Sequence, residues 1–413
     1  MSKSLPWACA VVCFGVALPV FLPPTCGAEW GEPTAADLKI EKALDSPTEL
    51  AFVETPLAAV LETLGDTHEI PIRIDQRALE DVGVSSEVAV TKEVKGVSLA
   101  SALGLMLGDH GLTYVLNNEA LLVTTPEEAE MMPLARVYPI ADLLDPADPS
   151  GSAEAIVHAI TSCIDPVTWR AVGGRGDLGL IPPTKPAALV VRQQYAVQRK
   201  VHRLLRCLRG LREMKAAGAA QPASVVPPST PMTLRIAQAL DDATELEFVQ
   251  APLRDVVGSI AKMHDVPIVF SAALGDMGVR LDGPVTCRHK AIPLASALQQ
   301  VLREFDLTYL VDHEVILIVM PEQAEVHLST VVYPVARVSL ARPGEGVPSE
   351  AERLMGTITS LIAHDTWANV GGPGTIAPIA LPDLGALVVT QTRDVHQQLA
   401  GLLARPEFQK AVE

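Results

Sequence analysis

Two histidines, His68 and His264, lie 196 residues apart, each at the end of an apolar, helix-like run. Histidine is the side chain best suited to proton transfer or metal ligation near neutral pH. Neither belongs to a Cys/His pattern with ligand spacing, so both read as helix-end residues with a structural role. Cys287 and His289, two residues apart, offer at most half a zinc site, and Lys92 stands where a counterpart of Cys287 would be.

Three pairs of acids recur at nearly the same separation: Asp45/Asp241, Glu49/Glu245 and Glu119/Glu314. General acid–base chemistry would need two of them to converge in one pocket with displaced pKa values. Turns and strand ends account for them more simply. The runs Pro126–Glu130 and Pro321–Glu325 put carboxylates in the first turn of a helix, where the helix dipole favours negative charge. Gly173-Gly174-Arg175-Gly176 and Gly371-Gly372-Pro373-Gly374 lack the Lys-Ser/Thr that a phosphate loop requires, and they read as tight turns. Arg175-Gly176-Asp177 has no second-copy counterpart, and no serine sits in a Gly-x-Ser-x-Gly setting. These residues point away from catalysis, and no metal or cofactor is expected.

Two features could serve binding. Aromatic residues make up only 4% of the chain, so the matched pair Trp169 and Trp367 must be either core anchors or interface hot spots. The stretch carrying Arg199, Lys200, Arg203, Arg206, Arg209, Arg212 and Lys215 is basic within an acidic protein. It reads as a solvated helix face or as a surface that docks on acidic groups of this chain or a partner. Trp169, Trp367, Arg199, Arg203, Arg206 and Arg209 are therefore the candidate interaction residues.

The elements that position these residues begin after an export signal. Lys3, an apolar stretch from Trp7 to Leu22, and the small residues Cys26 and Ala28 have the layout of a cleavable signal peptide over 1–28. Pro19, Pro23 and Pro24 break the stretch and make it too short for a good membrane span. Loss of residues 1–28 removes one cation and moves the net charge from −17 to −18. That balance disfavours nucleic acid and anionic membrane surfaces as partners. Cys163, Cys207 and Cys287 remain, an odd set that fits no disulfide framework.

An internal repeat dominates the rest. Leu38–Asp45 returns as Leu234–Asp241, Thr48–Val53 as Thr244–Val249, and Leu112–Tyr114 as Leu307–Tyr309. Tyr138-Pro139 returns as Tyr333-Pro334, and Leu189–Val191 as Leu387–Val389. The Ala/Pro/Ser-rich stretch over 215–231 reads as a linker between the cassettes 29–214 and 232–413, each expected to fold on its own.

Each cassette divides again into two small α+β modules, over 38–140 and 150–214 in the first and 234–340 and 348–406 in the second. Leu57, Val60, Leu61 and Leu64 follow Pro56 at helical spacing, and Leu99, Ala102, Leu103 and Met106 repeat the pattern, with Ser98 placed to cap the second helix. Leu112–Leu116 and Leu121–Thr124 flank an Asn-Asn turn and predict a hairpin. In the second module, Ile156, Ile160, Cys163 and Ile164 predict a helix, Trp169–Val172 and Leu189–Val191 short strands, and Val197, Val201, Leu204, Leu205 and Leu208 a closing helix.

The first module, with its Leu-x-x-Ala-Leu helix and Leu-Thr-Tyr strand, resembles the secretin and TonB short N-terminal domain. The second, with its Trp, Gly-Gly turn and Leu-Val-Val strand, resembles the small ring-building N-domains of secretins. The likeness covers about 38–214 and 234–406. No long β-rich segment follows in this sequence, a departure from a complete secretin. The resemblance implies a periplasmic or cell-envelope module that contacts other proteins, or its own copies, through sheet edges and helix faces. Two other classes fit less well: a cell-wall or peptide hydrolase using acids from both copies, and a sensor of a small ligand between modules.

Overall fold

The computed structural model describes residues 34–181, 187–218, 224–225, 230–335, 349–403 and 405. The expected signal peptide lies outside them, as do most of 215–231, residues 336–348 and nearly all of the chain after residue 403. The fold is α+β, as the sequence predicts. The first half runs α1 (Ala35–Leu44), β1 (Pro47–Pro56), α2 (Leu57–His68), β2 (Ile72–Ile74), α3 (Gln76–Asp81), β3 (Ala89–Ser98), α4 (Leu99–Gly108), β4 (Thr113–Asn117), β5 (Ala120–Thr124), α5 (Pro126–Glu130) and β6 (Leu134–Pro139). It ends with α6 (Pro149–Cys163), β7 (Asp177–Ile181), β8 (Ala188–Gln193) and α7 (Tyr195–Ala216).

The same order returns in the second half. It comprises α8 (Pro231–Asp241), β9 (Ala243–Pro252), α9 (Leu253–His264), β10 (Ile268–Phe270), α10 (Ala273–Asp276), β11 (Pro284–Pro293), α11 (Leu294–Arg303), β12 (Thr308–Asp312), β13 (Val315–Val319) and α12 (Pro321–Val326). Then follow β14 (Ser329–Val335), α13 (Glu350–Leu361), β15 (Thr375–Ala380), β16 (Gly385–Gln391) and α14 (Arg393–Leu403).

Local chemistry explains the boundaries. Thr34 and Asp37 form a reciprocal capping box at α1, and Ser349 and Glu352 form another at α13. Ser98 caps α4 by accepting the Ser101 N–H, whereas Pro293 at the matching position of α11 has no capping side chain. Each first module pairs a long two-stranded ribbon (β1–β3 or β9–β11) with a three-stranded sheet of order β2–β5–β4 or β10–β13–β12. In the latter, the hairpin is antiparallel and the short outer strand is parallel to its neighbour. Each second module is an antiparallel sheet of order β6–β8–β7 or β14–β16–β15.

The helix faces read from sequence are buried: Leu57, Val60, Leu61 and Leu64 in α2, and Val197, Val201, Leu204, Leu205 and Leu208 in α7. The expected strand over Trp169–Val172 is instead two single 3-10 turns, Pro166–Thr168 and Arg170–Val172. Gly173 reverses the chain at φ +97°, and a Cβ on Gly174 would run into the Thr168 peptide, so this glycine loop folds tightly back over Thr168.

The two halves are not separate bodies. Ile156, Ala159, Ile160 and Cys163 of α6 share a buried cluster with Val332, Ala377, Ile379, Ala386 and Val388 of the second-half sheet β14–β16–β15. The Thr390 and Thr330 hydroxyls donate to the Cys163 carbonyl at 2.7 and 3.4 Å, capping the end of α6 across the boundary. The Cys163 thiol donates to the Val388 carbonyl at 3.4 Å. Deeply buried apolar side chains contribute about 1.5–3 kcal/mol each, so this shared core is a substantial part of what holds the copies together.

Candidate interaction surfaces

The repeat-matched polar residues do not converge. His68 lies between the Ser46 hydroxyl at 3.1 Å and the Thr48 hydroxyl at 2.9 Å, tying the end of α2 to the start of β1. Burial lowers its pKa, favouring the neutral ring that such hydrogen bonds suit. His264 meets Thr244 in the same way. Glu49 forms an exposed cross-strand pair with Lys95 at 2.8 Å, while Glu245 lies near the start of β9 and Asp241 at the end of α8. Cys287 and His289 sit on β11 opposite Phe248 and Leu246. Among the described residues, no group of three or more His, Cys, Asp or Glu is placed to hold a metal ion.

Trp169 and Trp367 are 2% and 1% exposed, each inside its own second module. Their indole N–H groups donate to the Ile164 and Ile362 carbonyls at 2.8 and 2.7 Å. They therefore anchor the loop before β7 and β15 and offer no surface for a partner.

The basic helix docks within this chain. Arg199 donates to Asp45 at 2.8 Å and Arg206 reaches the same carboxylate at 3.3 Å, joining α7 to the end of α1. Arg209 binds Asp142 at 2.7 Å and the Pro139 carbonyl at 2.5 Å, and Lys200 holds Asp165 at 2.8 Å. Burial opposes the Arg199 charge, but Tyr114, Tyr195 and Asp45 outweigh it and raise its pKa. Burial and the neighbouring Arg199 lower that of half-buried Arg203. Arg199, Arg203, Arg206 and Arg209 thus mainly line the junction between the two modules of the first copy. Tyr114 and Tyr195 meet edge to face across this junction, with centroids 6.2 Å apart. In the second copy Arg393 lies 3.9 Å from the centroid of the Tyr309 ring, so the junction recurs with altered chemistry.

A second boundary between copies lies at the first modules. Glu314, in the β12–β13 turn, is 4% exposed and accepts the Ser98 main-chain N–H at 2.6 Å. Its counterpart Glu119 is exposed. The neighbouring His313 ring fits because residue 104 is glycine; a Cβ there would collide with the imidazole. At the matching site α11 carries Gln299. Sequence reasoning missed both boundaries between copies, although the Ser98/Pro293 and Gly104/Gln299 differences mark one of them.

No family model and no curated protein sequence matches the chain. Solved structures that are similar include one of XcpQN012, at 13% identity and TM-score 0.16, covering 49% of this chain and 85% of that one. Another is the GspC–GspD complex of the type II secretion system of enterotoxigenic Escherichia coli, at 15% identity and TM-score 0.15, covering 40% and 98%. A third is the N-terminal domain of the secretin XcpQ from Pseudomonas aeruginosa, at 13% identity and TM-score 0.14, covering 49% and 86%. No helix among the described residues is long and apolar enough to cross a membrane.

Proposed function

We propose that this chain is a non-enzymatic, exported envelope protein that binds other proteins or its own copies as part of a secretion or transport assembly. The observation that carries the reading is the docking of α6 of one copy on the β14–β16–β15 face of the other, sealed by Thr330 and Thr390 on the Cys163 carbonyl. It supports the view that these small modules are built to be read by another protein surface, helix on sheet. The resemblance of both cassettes to secretin-type N-terminal modules points the same way. The dispersal of the matched acids and histidines into capping, cross-strand and junction contacts fits binding better than hydrolysis.

The test is affinity purification of the full chain, tagged at its C-terminus, from cross-linked cells of its own source, with quantification of what accompanies it. A stoichiometric envelope protein, or a ladder of the chain itself, is expected. A lone monomer in the cytoplasmic fraction would overturn the reading.

A further inference from the structure

The sheets β6–β8–β7 and β14–β16–β15 have the same order and register, yet their outer edges differ. On β14, Val225 from the segment between the copies donates its N–H to the Val332 carbonyl at 2.7 Å and accepts the Val332 N–H at 2.8 Å. The peptide groups of Val332 therefore point away from β16. Tyr138 pairs with Leu189 as Tyr333 pairs with Leu387, so Val137 occupies the place of Val332. Its N–H and C=O point away from β8 in the same way. Among the described residues no strand pairs with that edge, and Val137 is 59% exposed where Val332 is fully buried.

The adjoining face is open as well. In the second copy α6 covers Val332, Val388, Ala377 and Ile379. At the matching positions of the first copy, Val137, Val190, Gly179 and Ile181 are exposed or half-buried. The edge is protected only at its ends: β6 carries no lysine and no bulge, and its flanking prolines, Pro133 just before it and Pro139 at its close, leave the Val137 peptide groups open between them. Arg136 lies on the opposite face, engaged with Glu41 and the Tyr195 ring.

Resting on the reading that the chain binds proteins, we infer that the β6 edge receives an extended segment of a partner protein, added antiparallel beside Val137. The ligand class follows from the residue the sister edge holds, Val225, a β-branched residue whose sequence neighbours in Ala223-Ser224-Val225-Val226-Pro227-Pro228 are small residues, a second valine and prolines. The chain's own segment of this kind is already engaged on Val332. The partner thus supplies main-chain hydrogen bonds for affinity and a small apolar side chain over Val137 and Val190 for specificity.

The probe is a synthetic peptide with the sequence of residues 219–230, added to the full chain while amide exchange is followed. The Val137 amide should exchange freely alone and slow by roughly tenfold or more when the peptide is bound. Val137→Pro removes the donor on the solvent side of an edge strand, where proline is tolerated, and should abolish binding. A peptide N-methylated at the pairing valine tests the same bond without altering the protein, and should bind at least roughly tenfold more weakly. A Val137 amide already protected in the chain alone would mean that its own residues fill the edge, and would overturn the proposal. Equal binding of the methylated peptide would do the same. If the edge fails these tests while affinity purification still yields a stoichiometric partner, the binding reading stands and only this surface is wrong.

Discussion

Glu314 accepts the main-chain N–H of Ser98 at 2.6 Å, joining residues 216 positions apart at the N-terminus of α4. The carboxylate supplies an acceptor and a negative charge where the helix dipole favours both. Its counterpart Glu119 lies exposed on the first copy, and Pro293, which stands where Ser98 does, has no N–H to offer. The contact is therefore made once and gives the boundary between copies its direction.

Glu314→Ala should cost about 1–3 kcal/mol, the penalty for a buried donor left without its acceptor. Glu314→Gln keeps an acceptor and should cost less. Glu119→Ala, at the matching exposed position, should stay within about 0.5 kcal/mol. Urea unfolding of the three variants measures this. Equal losses for Glu314→Ala and Glu119→Ala would show that the buried contact contributes nothing special.

His396 and Gln198 form a natural comparison. Gln198 donates to the Leu134 and Val191 carbonyls and accepts the Tyr138 hydroxyl, each at 2.8 Å. His396 meets the Tyr333 hydroxyl at 3.0 Å through Nδ1 and the Ser329 carbonyl at 2.8 Å through Nε2. Burial lowers the His396 pKa below its ordinary value of 6.5. The folded state then holds fewer protons than the unfolded state near that pH, so stability is greatest above about 6.5 and falls as pH drops through the folded value. His396→Gln should flatten the decline in stability between about pH 7 and about pH 5. His68, also lowered by burial, leaves a residual slope. An unchanged slope on equilibrium unfolding across that range would refute the assignment.

At the α7 junction, the Arg199 side chain is 11% exposed and the Arg206 side chain 62%, though both reach Asp45. Arg199→Ala should cost about 1–3 kcal/mol, because it strips a buried hydrogen-bonding partner from Asp45 and a charge from beside Tyr195. Arg206→Ala should cost no more than about 1 kcal/mol, in keeping with an exposed pair. Thermal melts at low and high salt separate the two, with only the Arg206 contribution expected to fade as ionic strength rises.

Much of this fold is legible in the sequence wherever burial follows a simple period. The stripes of α2 and α7 declare their inner faces through Leu and Val at helical spacing, and the two tryptophans fit the core-anchor reading. The Trp169–Val172 segment misleads because its apolar residues suggest a strand, whereas Gly173, Gly174 and Gly176 allow a loop that closes on Thr168. The basic run of α7 shows its charge but not its target, since Asp45 and Asp142 come from distant elements. The boundary between copies is hidden for a related reason. Ala159 is small enough to pass for surface and Cys163 reads as part of the helix's own apolar face, until they are compared with Thr357 and Leu361, which are exposed at the same positions of α13.

That comparison leads to a chemical test of whether the halves depend on each other. In the full chain Cys163 is 1% exposed, pressed between α6 and the second-half sheet, and burial raises its thiol pKa. A thiol in that state reacts slowly, because the thiolate is the reactive form. A fragment ending at residue 214 keeps α6 but loses β14, β15 and β16, so its outer face meets water. Cys163 should then react with a thiol reagent at a rate approaching that of a free cysteine, whereas Cys207, whose pKa is pushed to about 12 by burial, should stay slow if the second module of the first copy packs as it does here. The fragment should also unfold at lower urea than the full chain, having lost the apolar cover supplied by Val332, Ala377 and Val388. Circular dichroism of the fragment distinguishes loss of cover from loss of fold. Continued protection of Cys163 in a natively helical fragment would mean that α6 finds its partner within the first copy, and that the two cassettes fold independently after all.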